Sequence, residues 1–214
     1  MSNNPEKDAL RAEARRQQIM DAAFRAFTEK SIDSVTMNDV AAAAGVGVAT
    51  VYRHFATKPA LVLATATRAW RQYMAPDYSA ASDNQTRTAA QIYAYFLHSF
   101  VDLYRSHKDL LRFNQLFNIY VQSAGVPAEQ MGPYQAVIGD LAERFHRMYA
   151  LAQRDGTLRT DTPEKEMFSA TLHLMLAAAT RYAVGLVYDG GVEPERELEM
   201  LGEMLIEKYK PINA

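Results

Sequence analysis

The chain has 214 residues, enough for one large domain or two small ones with a buried core. Apolar residues make up 49% and charged residues 22%, and glycine and proline are sparse, which is typical of a helix-rich globular protein. There is no cysteine, which excludes disulfides, thiolate metal sites and cysteine nucleophiles. The net charge of −2 does not suggest a nucleic-acid-binding protein, so any such activity depends on where the charges lie.

The first nine residues are polar, and we expect them to lack regular structure. They contain no apolar segment of the kind found in signal peptides. The most apolar stretch, residues 172–187, is shorter than a membrane span and is interrupted by His173 and Arg181, so it predicts a buried helix. We therefore expect a cytoplasmic protein with no membrane partner.

Apolar spacing predicts four helices in the first 74 residues. In the first, apolar residues recur at helical spacing from Ile19 to Phe27 and form one stripe. The next two are short and are separated by a turn that contains Gly45, so their angle must depend on packing against the first helix. Thr36 and Thr57 are placed to cap the second and fourth helices. The four predicted helices span residues 9–29, 36–43, 48–55 and 58–73.

The polar stretch around residues 75–88 marks the predicted domain boundary. It separates a domain of residues 1–58 and a connecting helix, 58–74, from a second domain of residues 75–214. Five longer helical patterns follow, and no strand-like alternation is convincing. They span residues 85–104, 108–123, 128–154, 163–188 and 194–209. The predicted fold is all-α with about nine helices: an N-terminal three-helix helix-turn-helix domain, then a larger helical domain.

Residues 19–61 carry a composite motif. It consists of Ala22-Ala23 and Phe27, Thr36-Met37 with Val40-Ala41, Ala44-Gly45-Val46, the run Thr50-Val51-Tyr52-Arg53-His54-Phe55, and finally Lys58 and Leu61. In identity and spacing this motif resembles the DNA-binding domain of the TetR family of bacterial repressors. The departures are Ser31 for a common glycine, Gly47 for a Ser or Thr cap, Val48-Ala49 early in the recognition helix, and Pro59 for a glutamate. The rest of the chain resembles the family in length and helical layout alone.

The resemblance implies binding to double-stranded DNA, with residues 48–55 as the recognition helix in the major groove. Val48 and Ala49 offer only apolar contacts there, such as to a thymine methyl, and Arg53 is the one strong candidate for a base edge. The other polar groups suit phosphate oxygens, although Tyr52 could instead be a packing aromatic. The predicted DNA-binding residues are Thr36, Val48, Ala49, Thr50, Tyr52, Arg53, His54 and Lys58.

Arg11, Arg15 and Arg16 form a basic cluster before this motif. One interpretation is an arm that follows the DNA backbone or enters the minor groove. The other is a solvated helix end with no partner.

Residues 85–149 are rich in aromatic side chains, several of them tyrosines. Buried hydroxyls need partners, and a cavity lined by such residues suits a planar or amphipathic small molecule. The resemblance implies an effector pocket in this region, so we predict a small apolar or aromatic effector, with plain core packing as the alternative for each residue. The predicted pocket residues are Tyr93, Phe96, Phe100, Phe113, Phe117, Tyr120, Tyr134, Phe145, Tyr149 and His173.

The last two predicted helices carry leucines at helical spacing together with small residues that allow close approach. Two such helices from each of two subunits would form a four-helix bundle, the family's usual dimer. A palindromic operator requires such a two-fold partner, whereas packing within one chain is the alternative. The predicted interface residues are Leu174, Ala178, Arg181, Leu198, Leu201 and Leu205.

These features predict a homodimeric, ligand-responsive regulator of transcription, most simply a repressor released from a palindromic operator by its effector. An enzyme is the first alternative, but the five histidines are scattered and there is no phosphate loop, nucleophile elbow or paired-carboxylate signature. We therefore expect no enzymatic activity, no metal and no cofactor. The second alternative is a binding or scaffold module that uses the same fold without DNA.

Overall fold

A computed structural model describes residues 5–74, 87–186 and 190–212. Within these ranges every regular element is helical, which confirms the predicted all-α fold with about nine helices. None of the helices in this part of the chain has the length and apolar character needed to cross a membrane. The helices are α1 (Pro5–Lys30), α2 (Met37–Ala43), α3 (Val48–His54), α4 (Lys58–Met74), α5 (Ala89–Ser106), α6 (Lys108–Ser123), α7 (Gly132–Asp155), α8 (Glu164–Val184) and α9 (Pro194–Tyr209), with a 3-10 turn at Ala128–Met131 before α7.

Three helix starts differ by four residues from the sequence prediction. α7 begins at Gly132 instead of residue 128, because residues 128–131 form the 3-10 turn. α1 begins at Pro5, four residues earlier than predicted, because proline lacks only an N–H that has no partner in a first turn. α5 begins at Ala89, where a reciprocal cap stops the helix from extending further back. The amide of Gln91 donates to the Thr88 hydroxyl at 3.3 Å, and the amide of Thr88 donates to the Gln91 side chain at 2.9 Å. Most of the predicted boundary segment, 75–86, lies outside the described residues.

The described chain forms two compact units. Unit 1 combines residues 5–72 with 113–135, and unit 2 combines residues 73–112 with 136–212. Consequently α4, α6 and α7 each contribute residues to both units. The structural division therefore does not follow chain order as the sequence-based boundary does, and the assignment of separate functions to residues 1–58 and 75–214 stays a prediction.

Unit 1 is built around α1. Its apolar stripe from Ile19 to Phe27 is buried and supports α2 and α3, which contribute the buried Val40 and Val51. α6 completes the same core, since the ring of Phe113 stacks on that of Phe27 at 6.4 Å. Each fully buried side chain of this size stabilises the fold by roughly 1.5–3 kcal/mol through its apolar surface. α6 thus supports the helix-turn-helix unit directly.

The chain turns sharply between α2 and α3 at Gly45. Its φ of 64° is a conformation that residues with a Cβ rarely adopt. The amides of Gly45 and Val46 donate to the carbonyls of Ala42 and Ala41 at 3.1 and 3.0 Å, which satisfies the end of α2. The backbone of this turn therefore sets the direction in which α3 leaves α2.

In unit 2, α5 packs against both α8 and α9. α9 contacts α5 at Gly202, where an added Cβ would be in ordinary van der Waals contact with the Cβ of Leu97, 3.7 Å away. At the end of α9 the ring of Tyr209 meets that of Tyr93 edge-on at 5.8 Å. α8, which the sequence predicts to be buried, is buried on one face only, and its opposite face is exposed.

Candidate DNA-binding surface

α3 has one face in the core and the opposite face in solvent. Val51 is 0% exposed, whereas Tyr52 is 50% exposed. Val48, Ala49 and Arg53 are exposed as well. Ala49 and Arg53 are four residues apart and therefore share one side of the helix. The side chains predicted to contact bases are thus accessible, whereas Val51, which packs α3 onto the core, is buried.

His54 ends α3 and lies among arginines. Burial of its ring lowers its pKa, and the positive charges of Arg53, Arg16 and Arg15 lower the pKa further. The guanidinium of Arg16 donates to the His54 carbonyl oxygen at 3.2 Å and lies 4.4 Å from the centre of the Phe55 ring. Arg16 therefore anchors the end of α3 to α1, a role that its place in a basic cluster does not reveal.

Thr36 is engaged in capping α2. The amide of Asp39 donates to the Thr36 hydroxyl at 3.2 Å, which confirms the predicted cap. In return the amide and hydroxyl of Thr36 donate to the Asp39 carboxylate at 2.8 and 2.7 Å, and these bonds hold the pKa of Asp39 below its usual value. A phosphate contact from the Thr36 hydroxyl would have to displace Asp39.

Lys58 begins α4 and is half-buried. Its ammonium donates to the carbonyl oxygen of Asp33 at 3.1 Å and lies 5.7 Å from the centre of the Tyr120 ring. Burial lowers the pKa of this ammonium, and the nearby carboxylate charges of Asp33 and Asp39 partly offset the effect. An ammonium carries three donors, so Lys58 can hold Asp33 and meet a phosphate at the same time. Of the predicted DNA-binding residues, Thr36, Val48, Ala49, Tyr52 and Arg53 are exposed and Thr50, His54 and Lys58 are half-buried.

Gln18 joins α1 to the end of α2. Its side-chain amide donates to the carbonyl oxygen of Ala44 at 2.7 Å, directly before the turn. Its oxygen accepts a hydrogen bond from Arg15 at 3.1 Å. Sequence reasoning missed this residue because the hydrogen bond depends on how α1 crosses α2, which no local pattern encodes.

The residues predicted to line an effector pocket are divided between the two units. Four of them lie in unit 1, where Phe113, Phe117 and Tyr120 belong to the core that supports the helix-turn-helix, and Tyr134 packs 4.7 Å from Phe117. His173 is exposed on α8 and lies apart from the buried aromatics. The remaining predicted pocket residues, all in unit 2, are Tyr93, Phe96, Phe100, Phe145 and Tyr149.

The aromatic residues of unit 2 pack directly on one another. The ring of Phe145 lies 5.8 Å from that of Phe96 and 6.2 Å from that of Tyr93, both edge-on. The Tyr93 hydroxyl pairs with that of Thr171 at 2.8 Å, and burial raises the pKa of Tyr93. The hydroxyl of Tyr149 donates to the backbone carbonyl oxygens of Thr160 and Thr162, at 2.9 and 2.8 Å. These tyrosines thus have the partners that buried hydroxyls need.

The residues predicted to form a dimer interface fall into two groups. Leu198 and Leu205 are buried within the chain, so they pack inside one subunit and do not face a partner. Leu174 on α8 is 41% exposed and Met204 on α9 is 65% exposed, with Met200 also exposed one turn before it. The two methionines form a second apolar stripe at four-residue spacing, which is the sequence signal that could have identified them. Of the remaining predicted residues, Arg181 is exposed and Ala178 and Leu201 are half-buried.

α1 to α3, with the Gly45 turn and the outward face of α3, define a helix-turn-helix domain. This class of domain places its second short helix in the major groove of DNA. Within residues 5–74, 87–186 and 190–212, no three metal-ligating side chains come together at one point.

Comparison with known proteins shows what this domain is similar to. Residues 19–65 match the family model described as bacterial regulatory proteins, tetR family. An uncharacterised HTH-type transcriptional regulator of Mycobacterium tuberculosis (strain CDC 1551 / Oshkosh) is 42% identical over 64 residues, which are 30% of this chain and 32% of the relative. The match thus spans about a third of the length of that curated relative. Residues 19–65 are therefore similar to the matching part of bacterial regulatory proteins of the tetR family.

Solved structures of regulators share the fold over most of the chain. The transcriptional regulator FadR from Bacillus subtilis, in complex with stearoyl-CoA, aligns with a TM-score of 0.72 at 16% identity and covers 89% of this chain and 97% of its own. AibR, in complex with isovaleryl coenzyme A and operator DNA, aligns with a TM-score of 0.65 at 17% identity. The alignment covers 90% of this chain and 98% of AibR. At these identities the likeness shows the fold alone.

Proposed function

We propose that the chain is a homodimeric, ligand-responsive regulator of transcription, most simply a repressor released from a palindromic operator by a small apolar or aromatic effector. The outward face of α3 is the observation that carries the DNA-binding part. An exposed tyrosine and valine on a helix whose opposite face is fully buried are typical of an interaction surface. The related fold of AibR, solved with operator DNA, supports the same partner.

Base recognition in this proposal depends mainly on Arg53. Its guanidinium can pair with two acceptors of guanine, whereas Val48 and Ala49 offer only methyl contacts. The remaining polar groups near α3 suit phosphates and carry no sequence information. Specificity therefore also draws on DNA shape and on the spacing between the two half-sites.

Selection of binding duplexes from a random library, followed by anisotropy titration, tests this function. We expect the wild type to bind a selected duplex at least about a thousandfold more tightly than a scrambled one at moderate salt. Arg53→Ala should lose roughly 1–3 kcal/mol of discrimination at one base pair, whereas Lys58→Ala should weaken both duplexes alike. Equal binding of selected and scrambled duplexes by the wild type would contradict the proposal.

The effector part of the proposal rests on the aromatic residues of unit 2. Rings such as Phe96 and Phe145 offer an apolar surface that suits an acyl chain or an aromatic group. The similar structures of FadR and AibR each contain an acyl-CoA thioester, which favours an acyl chain over an aromatic group. Stearoyl-CoA and isovaleryl-CoA are therefore the first probes. The effector should raise the melting temperature of the protein and also release the selected duplex. A probe that raises the melting temperature but leaves the duplex bound is not the effector.

A further inference from the structure

α1 extends beyond the core that it supports. All residues from Pro5 to Arg15 are exposed, and full burial begins only at Ile19. The exposed segment is about 16 Å long at 1.5 Å per residue. Because isolated helices of this length are marginal in water, a segment like this gains much from a partner.

Three basic residues share one side of this segment. Lys7, Arg11 and Arg15 follow each other in steps of four residues, which places them about 6 Å apart along the helix axis. The last of them donates to Gln18, which in turn donates to the Ala44 carbonyl beside the turn. The basic stripe therefore lies in line with the side chain that contacts the helix-turn-helix.

The stripe is continuous with the recognition helix. Arg15, Arg16 and Arg53 all lie close enough to His54 for their charges to act on its ring. Since Arg16 is held on the end of α3, it joins the basic residues of α1 to those of α3 in one patch. The basic residues around Arg53 thus continue onto α1, where the carboxylate of Glu13 offsets part of their charge at the His54 ring.

We propose that the exposed part of α1 is a second DNA-binding element, in which Lys7, Arg11 and Arg15 bind phosphates that flank the base pairs under α3. The inference rests on the proposed DNA-binding function. Duplex DNA carries one negative charge per 1.7 Å of its axis, so it is the polyanion that such a stripe fits. Asp8 lies 3.6 Å from Arg11, but this exposed ion pair is worth little in water and can be exchanged for a phosphate.

The helical form of the segment decides how it meets the duplex. With its side chains an α-helix is about 10–12 Å wide, whereas the minor groove is about 6 Å wide. Residues 5–15 are helical, so they cannot enter the minor groove as an extended arm would. The segment therefore lies along the phosphate backbone and contributes affinity without reading sequence.

The test compares two lengths of one duplex. A selected duplex is prepared with long flanks and, separately, trimmed to the base pairs that α3 requires. We expect Arg11→Ala to weaken binding of the long duplex roughly fivefold, to make its salt dependence shallower by about one unit per lost contact, and to leave the trimmed duplex unaffected. Alanine is the best helix former, so the variant keeps the helix.

Arg25→Ala is the matched control, because it removes an exposed arginine from the same helix outside the stripe. It should change neither duplex. An equal loss of affinity for the long and the trimmed duplex in Arg11→Ala would overturn the inference. No loss of affinity for either duplex would also overturn it, and would favour a protein partner for this face. Failure of the wild type to bind any selected duplex would instead overturn the proposed function itself.

Discussion

Ser31 and Gly45 both have a positive φ, 128° and 64°, in the two connections of the helix-turn-helix unit. Glycine is common at the first of these positions in the family that the motif resembles, and the backbone gives the physical reason, because side chains disfavour this conformation. The Ser31 hydroxyl makes a hydrogen bond with that of Ser34 at 3.0 Å, which compensates part of the strain. At the residue scale, the chain thus has a glycine at position 45, where φ is positive, but a serine at position 31, where φ is positive as well.

Reciprocal substitutions test this account of the backbone. Ser31→Gly should raise the free energy of unfolding by about 1 kcal/mol, and Gly45→Ser should lower it by about 1–2 kcal/mol. Nothing lies within 4 Å of a Cβ at Gly45, so conformation is the only cause. Gly47→Ser is the control: φ there is −69°, and a serine cap should add a few tenths of a kcal/mol. Urea denaturation measures all three, and equal effects at positions 45 and 47 would refute the account.

His54 should make DNA binding depend on pH. Because burial and the neighbouring arginines lower its pKa below 6.5, the ring is neutral at neutral pH. Bound phosphates favour the protonated ring, so affinity should rise as the pH falls below about 6.5. Stability should change the other way, since the contribution of a neutral His54 is present above about pH 6.5 and is lost as the pH falls through the lowered pKa. Titrations at constant ionic strength should show both trends, and His54→Gln should lack them.

At the element scale, α6 shows what the sequence could and could not predict. Its aromatic spacing predicts a helix with Phe113 and Phe117 buried, and both are. The same spacing does not predict which core the two rings pack in. In the structure they pack in the core shared with α1, α2 and α3. The outward set on α3 could be predicted because helical phase follows from the burial of Val51. The anchors Arg16 and Gln18 could not, because their partners are backbone carbonyls far along the chain.

Asn114 on α6 links α4 to α7. Its side-chain oxygen accepts hydrogen bonds from the Trp70 indole at 3.3 Å and the Tyr134 hydroxyl at 3.4 Å. Burial raises the pKa of Tyr134 to about 12, so its hydroxyl remains a donor at neutral pH. Asn114→Leu removes the acceptor that the buried Trp70 and the half-buried Tyr134 share, and it should cost about 2 kcal/mol. Asn118→Leu makes the same change at an exposed position of α6 and should cost less than about 0.5 kcal/mol.

The chain's single tryptophan makes this prediction directly measurable. Emission from Trp70 should change in Asn114→Leu under native conditions and stay unchanged in Asn118→Leu. If both variants had the same stability and emission, the hydrogen bonds to Asn114 would contribute nothing to the packing of α4 on α6.

At the scale of the whole molecule, the exposed apolar residues of α8 and α9 are the strongest support for a dimer. Leu174 and Val184 on α8, and Met200 and Met204 on the neighbouring α9, are exposed in the single chain. Exposed apolar residues on two adjacent helices are typical of subunit contact. The leucines inside α9 hold that helix in place, and the methionines on its other side are the ones left for a partner.

Substitution on this surface should therefore separate the subunits. Leu174→Glu and Met204→Glu each place a carboxylate where the proposed partner would bury it, so each should weaken dimerisation at least about tenfold in sedimentation equilibrium. Ile138→Glu, which changes an exposed isoleucine on α7, is the control and should stay dimeric. A palindromic duplex is held by two recognition helices only while the subunits are joined, so the separated variants should bind it no better than a half-site. Variants that fold, stay dimeric and keep the palindrome would place the subunit contact elsewhere on the chain.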